Sequence, residues 1–161
     1  MNLFHGGVEK IDKPLILENQ RLLDFGKGFY TTTNRQQAEK WAVMKQKRIG
    51  EGAKAIISVY EIVDQLFEST SYSVKCFNQA NEAWLDFIVS NRRSNQSHPF
   101  QIVKGAVAND TLYATLVLFE AGVLTKAETI LRLKTHKLFD QISFHDLEVL
   151  TELKFIEFYE L

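Results

Sequence analysis

The sequence predicts a single α+β domain, with strands and helices mixed along the chain rather than alternating as regular β-α-β units. The chain has 161 residues, 45% of them hydrophobic, which suits one core and is too small for two comfortable ones. Runs rich in β-branched and aromatic residues recur between segments of helical periodicity. No internal repeat, low-complexity run or linker breaks that order, so residues 1–161 read as one domain.

Taken in order, Leu3-Phe4-His5 reads as a short strand that Gly6-Gly7 stops. Residues 12–24 are ambiguous, with apolar positions clustered at Leu15, Ile16 and Leu17 and again at Leu22 and Leu23. A helix starts near Asn34. Ala38, Trp41, Ala42, Lys45 and Ile49 keep the i, i+3, i+4 rhythm, and Gly50 sits where a C-terminal cap belongs. Lys54–Ile62 is rich in β-branched residues and reads as a buried strand. Asn81–Asn91 reads as a helix with Trp84, Phe87 and Ile88 on one face, and Arg92-Arg93 end it on the surface.

The second half opens with a strand over Phe100–Ala108 that contains Gly105. Thr111–Ala121 is an apolar helix, with Asp110 or Asn109 as its cap and Gly122 at its end. Thr125-Lys126-Ala127-Glu128 fits a capping box opening another helix. Phe139–Phe144 alternates and predicts a strand, His145–Thr151 a short helix, and Lys154–Tyr159 a closing strand.

Composition excludes several functions. The net charge is −1 and the pI is near 6.4, so no general affinity for nucleic acid or anionic membrane is expected. Cys76 is alone, which rules out an internal disulfide and suits a reducing cytosol; beside Phe77 it reads as a core residue. The start MNLFHGGVEK has neither a basic region nor a long apolar run, and no stretch approaches the roughly 18 apolar residues of a membrane span. A cytoplasmic location is the expectation. His5, His98, His136 and His145 are scattered without ligand spacing, so no metal is expected. No Gly-x-Ser-x-Gly elbow offers a nucleophile.

Phe25-Gly26-Lys27-Gly28-Phe29-Tyr30 is the most informative stretch. Two glycines around a lysine are one more than a plain turn needs, and they imply that the backbone passes close to another group. The spacing matches neither a phosphate-binding loop nor a dinucleotide turn. With His5-Gly6 ending the first strand and Trp41 eleven residues beyond Tyr30, this stretch resembles the ADP-ribosyltransferase superfamily, in particular the branch of the poly-ADP-ribose polymerases. There a His-Gly strand precedes a nearly identical Phe-Gly-Lys-Gly-Ile-Tyr run. The whole chain, including VKGAVANDTLYATLVLFEAG and DQISFH, also resembles a bacterial family of uncharacterised domains (domain of unknown function 3990).

The resemblance implies a split mixed or antiparallel sheet flanked by helices, with an NAD cleft between its halves. It implies transfer of one ADP-ribose from NAD, the only cofactor-like substrate, to an unidentified acceptor. Gly6 would bind the nicotinamide amide through its backbone, and His5 would hydrogen-bond a ribose hydroxyl. Tyr30 and Trp41 would sandwich the pyridinium ring, with Gly28 helping to turn Tyr30 into the cleft. Trp41 also lies on the apolar stripe of its helix and fits the core equally well. Lys27 reads as a solvated turn residue. The polymerases carry a glutamate on a later strand, and here Gln141 holds the matching place. Glutamine cannot take a proton or neutralise a developing cation, which points to single-unit transfer or weak NAD hydrolysis rather than chain growth. Asp140 faces the other side of the strand. Asn109 and Asp110 are candidates for cofactor or acceptor contact, against their alternative role as caps, and His145 for the acceptor side. The other expectations are a non-catalytic NAD- or ADP-ribose-binding module, and a toxin restrained by a small antitoxin-like protein.

Overall fold

In chain order the elements are β1 (Asn2–Gly7), β2 (Phe29–Thr31), α1 (Arg35–Ile49), β3 (Ile56–Glu61), a 3-10 turn (Asp64–Glu68), β4 (Val74–Cys76), α2 (Glu82–Arg93), β5 (Ile102–Ala106), α3 (Asp110–Glu120), α4 (Lys126–Lys134), β6 (Asp140–Phe144), α5 (Leu147–Leu150) and β7 (Lys154–Glu160). They come from a computed structural model that describes residues 1–18, 23–93, 98–107, 110–134 and 139–161, with the backbone alone at 110–112 and 134. The fold is α+β, with one antiparallel and one mixed sheet flanked by helices.

The first sheet has the order β1-β3-β7 and is antiparallel. The second has the order β2-β6-β5-β4, antiparallel except for the parallel β4–β5 pair. They meet where Phe4 and Thr32 exchange backbone hydrogen bonds of 2.9 and 3.0 Å. Alternation along the strands then divides the apolar residues among three cores. Leu3 and Tyr60 from the first sheet meet Phe29, Ile102, Ile142 and Phe144 from the second, forming the core between the sheets. Ile57 and Val59 point the other way, onto Ala38 and Ala42 of α1. Tyr30 and Val103 face Trp84, Leu85 and Ile88 of α2, with Leu116 of α3 and Leu133 of α4 closing that core.

Caps explain the helix limits. The Asn34 side chain accepts from the Gln37 N–H at 2.9 Å, and Gly50, at φ +96°, ends α1. Asn81 caps α2 through Trp84 N–H at 3.0 Å. Thr125 and Glu128 form the expected reciprocal box at α4, with Glu128 accepting from the Thr125 N–H and Thr125 accepting from the Glu128 N–H.

Several expectations are corrected. β1 runs through Gly6 and Gly7, which pair with Ile57 and Ile56 instead of stopping the strand. Gly6 is required by packing: a Cβ there would lie 2.0 Å from the Ala38 carbonyl oxygen of α1. β2 and β4, three residues each, are too short for any periodicity and exist through their neighbours. Residues 12–18 form no regular element. His145 precedes α5 rather than opening it, because Asp146 is the cap. Cys76 is exposed, not core. Arg92 is largely buried, with its side chain 13% exposed, not a surface terminus. Ala108 and Asn109 lie outside the described residues.

β7 is an edge strand of the first sheet, and Phe158 and Ile156 on it are exposed. Lys154 pairs with Glu61 and Glu160 with Lys54 across to β3 and its flank.

Gly6→Ala is expected to lower stability by about 3 kcal/mol or more, because the clash is with helix backbone that cannot step aside. Gly50→Ala has open space around it and loses about 1–2 kcal/mol, through a backbone conformation at φ +96° and ψ −150° that side chains rarely adopt. Urea denaturation of the two variants checks the ranking; equal losses would overturn the packing account.

Candidate functional site

The glycine loop before β2 is fixed by its own chain. Gly26 adopts φ +85°. The Tyr30 hydroxyl accepts from the Phe25 N–H at 3.1 Å and donates to the Gly26 carbonyl at 2.7 Å, closing the loop on itself. A Cβ on Gly28 would sit 2.7 Å from the Phe144 carbonyl oxygen and 2.8 Å from His145 Nδ1. The two glycines therefore serve different needs, one a positive φ and the other a close approach to His145. Lys27 lies exposed and donates to the Glu18 carbonyl at 2.9 Å.

Two histidines hold this loop from outside. His98 Nε2 lies 2.8 Å from the Phe25 carbonyl oxygen, and His145 Nδ1 lies 2.6 Å from that of Lys27. Carbonyls only accept, so both nitrogens carry hydrogen. The remaining nitrogens accept: His98 Nδ1 from the Phe100 N–H at 3.2 Å, and His145 Nε2 from Ser143 Oγ at 2.7 Å. The rings meet edge-on at 4.4 Å.

His5 is bound to β2 by the same logic. Its Nδ1 lies 2.7 Å from the Tyr30 carbonyl oxygen, so Nδ1 donates and Nε2 is left as an acceptor. The ring stacks on Phe29 at 4.5 Å. Burial, reinforced by Lys45, lowers its pKa to about 3. Burial, followed by the Asp24 carboxylate, drives the Tyr30 phenol well above its ordinary value, so it stays a hydrogen-bonding hydroxyl.

Gln141 and Tyr30 share the α2-facing side of the second sheet, since Tyr30 is paired with Ser143 and Gln141 lies two residues along β6. Gln141 is buried, and its Nε2 lies 3.2 Å from Asp24 Oδ2 and 3.4 Å from the Ala106 carbonyl oxygen. Both neighbours are acceptors, which fixes the amide with its NH2 toward them and leaves Oε1 to accept. Asp140 is engaged elsewhere: Thr32 Oγ1 and the Thr33 N–H and Oγ1 all donate to it.

The structure thus brings His5, Gly6, Gly28, Tyr30 and Gln141 to the neighbourhood of β2. Trp41 is half-buried on α1, and among the described residues no ring contact joins it to Tyr30. Asn109 lies outside the described residues, as does the side chain of Asp110, the first residue of α3. An open cleft of about 750 Å³ abuts the same end of β6, lined by Phe67, Phe77, Lys104, Phe139 and Asp140 among others, but by neither Gln141 nor Tyr30.

Sequence reading missed a group of charges beside Gln141. Arg92 Nη1 is 4.0 Å from Asp24, and its Nε is 3.8 Å from Glu120. These distances are ion pairs without hydrogen bonds, and Arg92 Nη1 and Glu120 Oε1 are buried with no hydrogen-bond partner. The Arg92 guanidinium also covers the Tyr113 ring at 4.6 Å. The signal that was available is Glu120 itself, an acid that follows the apolar run Leu116–Phe119 at the end of α3. Among the described residues there is no cluster of His, Cys, Asp or Glu able to hold a metal ion, and no helix long and apolar enough to cross a membrane.

Burial holds His145 at about 4, with a push from His98 against the pull of the Lys27 carbonyl. His5 and His145 both titrate lower in the folded chain than their ordinary 6.5. Between those values the unfolded chain binds more protons, so stability is complete above pH 6.5 and falls on acidification toward pH 4. Each histidine contributes a slope of about 1.4 kcal/mol per pH unit in that window. His145→Asn is expected to flatten the decline measured by denaturation at pH 7, 5.5 and 4; an unchanged slope would contradict this.

The family model described as "Protein of unknown function (DUF3990)" matches residues 1–155. No curated protein and no solved structure matches the chain. A match over nearly the whole length, through the His-Gly strand, the glycine loop and β6, makes this chain a member of the DUF3990 family.

Proposed function

We propose that the chain is a mono-ADP-ribosyltransferase with an ADP-ribosyltransferase-like split sheet, transferring one ADP-ribose from NAD to an acceptor. The observation that carries this reading is the convergence at β2. His5 bonds the Tyr30 backbone, and Gln141 shares the Tyr30 side of the neighbouring strand. Three separated stretches that resemble the motifs of that superfamily are thereby joined through one three-residue strand.

In the proposed reaction, the bond between nicotinamide and the ribose C1′ breaks and its electron pair leaves on nicotinamide. The acceptor's nucleophile bonds to C1′ and its proton passes to solvent. Gly6 offers peptide groups to the nicotinamide amide, His5 Nε2 accepts from a ribose hydroxyl, and Trp41 on α1 offers a stacking face to the ring, while Tyr30, buried against α2, shapes the loop rather than stacking on the ligand. Gln141 Oε1 accepts from the hydroxyl of the reacting ribose. With no ionisable group at that position, rate enhancement comes from positioning and fixed dipoles. A second reading, NAD binding without turnover, is favoured by the same Gln141, which cannot neutralise an oxocarbenium-like centre by itself.

Nicotinamide release from labelled NAD, read beside calorimetric NAD binding, separates the two. Transfer predicts release. Uptake without release leaves the binding module, and absence of uptake removes both. Trp41→Ala is expected to weaken NAD binding by about tenfold, as loss of one stacking face implies, while barely moving the melting temperature.

A further inference from the structure

The core between the sheets gives way to an open cleft, and the strands show why. Along β5, Ile102, Lys104 and Ala106 share one face and stand opposite Phe144, Ile142 and Asp140 of β6. Ile102, Ile142 and Phe144 are buried in that core, whereas Lys104, Ala106 and Asp140 are only half-buried. The small Ala106 leaves width unfilled where Phe144 fills it at the other end, and the cleft of about 750 Å³ opens there. Phe67 of the 3-10 turn and Phe139 ahead of β6 are half-buried rings in its wall. His5, Gly6, Trp41 and Gln141 lie outside its lining.

The lining combines groups that no simple ion would satisfy. Lys104 Nζ lies 5.3 Å from the centre of the Phe67 ring, and Lys40 Nζ lies 5.6 Å from that of Phe139. Glu68 and Asp140 are acids in the same lining, so a lone anion meets two carboxylates and a lone cation meets Lys104. Asp140 is held in place: Oδ1 accepts from Thr32 Oγ1 and the Thr33 N–H, and Oδ2 accepts from Thr33 Oγ1 at 2.9 Å. A carboxylate oxygen has room for a second donor, which leaves Oδ2 able to accept from a ligand. Asn78 and Gln79, exposed at the rim, offer amide donors and acceptors. Flat rings, two amides, an anchored carboxylate and a lysine are together what holds a nucleotide. The base stacks, its edge meets amide and carboxylate, and the phosphate meets the ammonium. A lysine stem is flexible, so Lys104 is free to leave its ring for the phosphate when a base takes that place.

We propose that this cleft is a second ligand site, for a nucleoside monophosphate unit whose base carries an exocyclic amino group. The amino group donates to Asp140 Oδ2, the base stacks on the phenylalanine wall, and Lys104 Nζ donates to the phosphate. Selection among bases follows from Asp140. Cytosine and adenine bring an amino donor, while uracil turns a carbonyl toward the carboxylate and leaves two acceptors with no hydrogen between them. A free nucleotide and one residue of a single strand share this chemistry. The site goes beyond the transferase reading and does not depend on it.

The test is calorimetric titration of the full chain with cytidine monophosphate, uridine monophosphate, cytidine and a short single-stranded oligocytidylate. Cytidine monophosphate is expected to bind about tenfold or more tighter than its near-isostere uridine monophosphate, as one amino–carboxylate pair implies. Lys104→Met keeps the stem and removes the charge. It is expected to weaken cytidine monophosphate about fivefold or more and cytidine less than about twofold, a split that a merely structural role of Lys104 would not produce. Asp140→Asn, which both donates and accepts, is expected to bring the two monophosphates within about twofold of each other. Cys76, the single cysteine of the chain, is exposed in the cleft lining. Bound cytidine monophosphate is therefore expected to slow its alkylation by iodoacetamide about threefold or more, which locates the ligand without any substitution. Oligocytidylate binding tighter than the monophosphate supports a single strand as the source, and weaker binding supports the free nucleotide. No uptake of cytidine monophosphate, equal affinity for the two monophosphates, or an unchanged alkylation rate overturns the inference. Displacement of cytidine monophosphate by NAD overturns it too, because the cleft then belongs to the dinucleotide site. Nicotinamide release enters none of these readings, so the transferase reading stands or falls separately.

Discussion

Three hydrogen bonds at one seam decide how this molecule is put together. Phe4 and Thr32 bond each other's backbones, and one residue further on the His5 ring reaches the Tyr30 carbonyl. The seam angles two small sheets so that Leu3 and Tyr60 can bury against Phe29, Ile142 and Phe144. Both faces of each sheet carry apolar residues and need cover: one face of each lies in the core between the sheets. Helices meet that need on the outside, α1 on one sheet and α2, α3 and α4 on the other. The bare backbone at Gly6 lets α1 lie against β1 at the depth where Ala38 and Ala42 make contact.

Elements with local signals were legible in the sequence. α1 has an Asn cap, a rhythmic apolar stripe and a terminal glycine, and it runs Arg35–Ile49 between those markers. The Thr125 box and the β-branched run of β3 were equally readable. What escaped depends on partners far along the chain. β2 and β4 owe their existence to β6 and β5, and Gly6 reads as a stop until the helix opposite explains it. The site divided along the same line. His5, Tyr30 and Gln141 were named because their local motifs are distinctive. Asp24, Arg92 and Glu120 were not, because nothing within a few residues of any of them announces that three distant segments converge.

The glycine loop shows how a flexible-looking composition becomes rigid. The carbonyls of Phe25, Gly26 and Lys27, which a mobile turn would leave to water, are each occupied by a neighbour within the fold: the Tyr30 hydroxyl inside, the two imidazoles outside. The fixed tautomers make the imidazoles complementary, each donating to the loop, while His145 accepts from Ser143 of β6 and His98 from the Phe100 N–H ahead of β5. Rigidity of this kind suits a surface that must present one geometry to a ligand without reorganising.

The exposed margin of β7 invites another strand, since its residues include Ile156 and Phe158 in contact with water. Antiparallel addition of an identical strand centred on Glu157 would oppose that acid to its own copy, with like charges directly across the ladder. Shifting the register to avoid this uncouples the aromatic side chains that could have rewarded the contact. Its two ends are also committed, Lys154 to Glu61 and Glu160 to Lys54. The first sheet therefore carries a built-in terminator, an acidic side chain at the centre of its edge strand that discourages growth into a fibre.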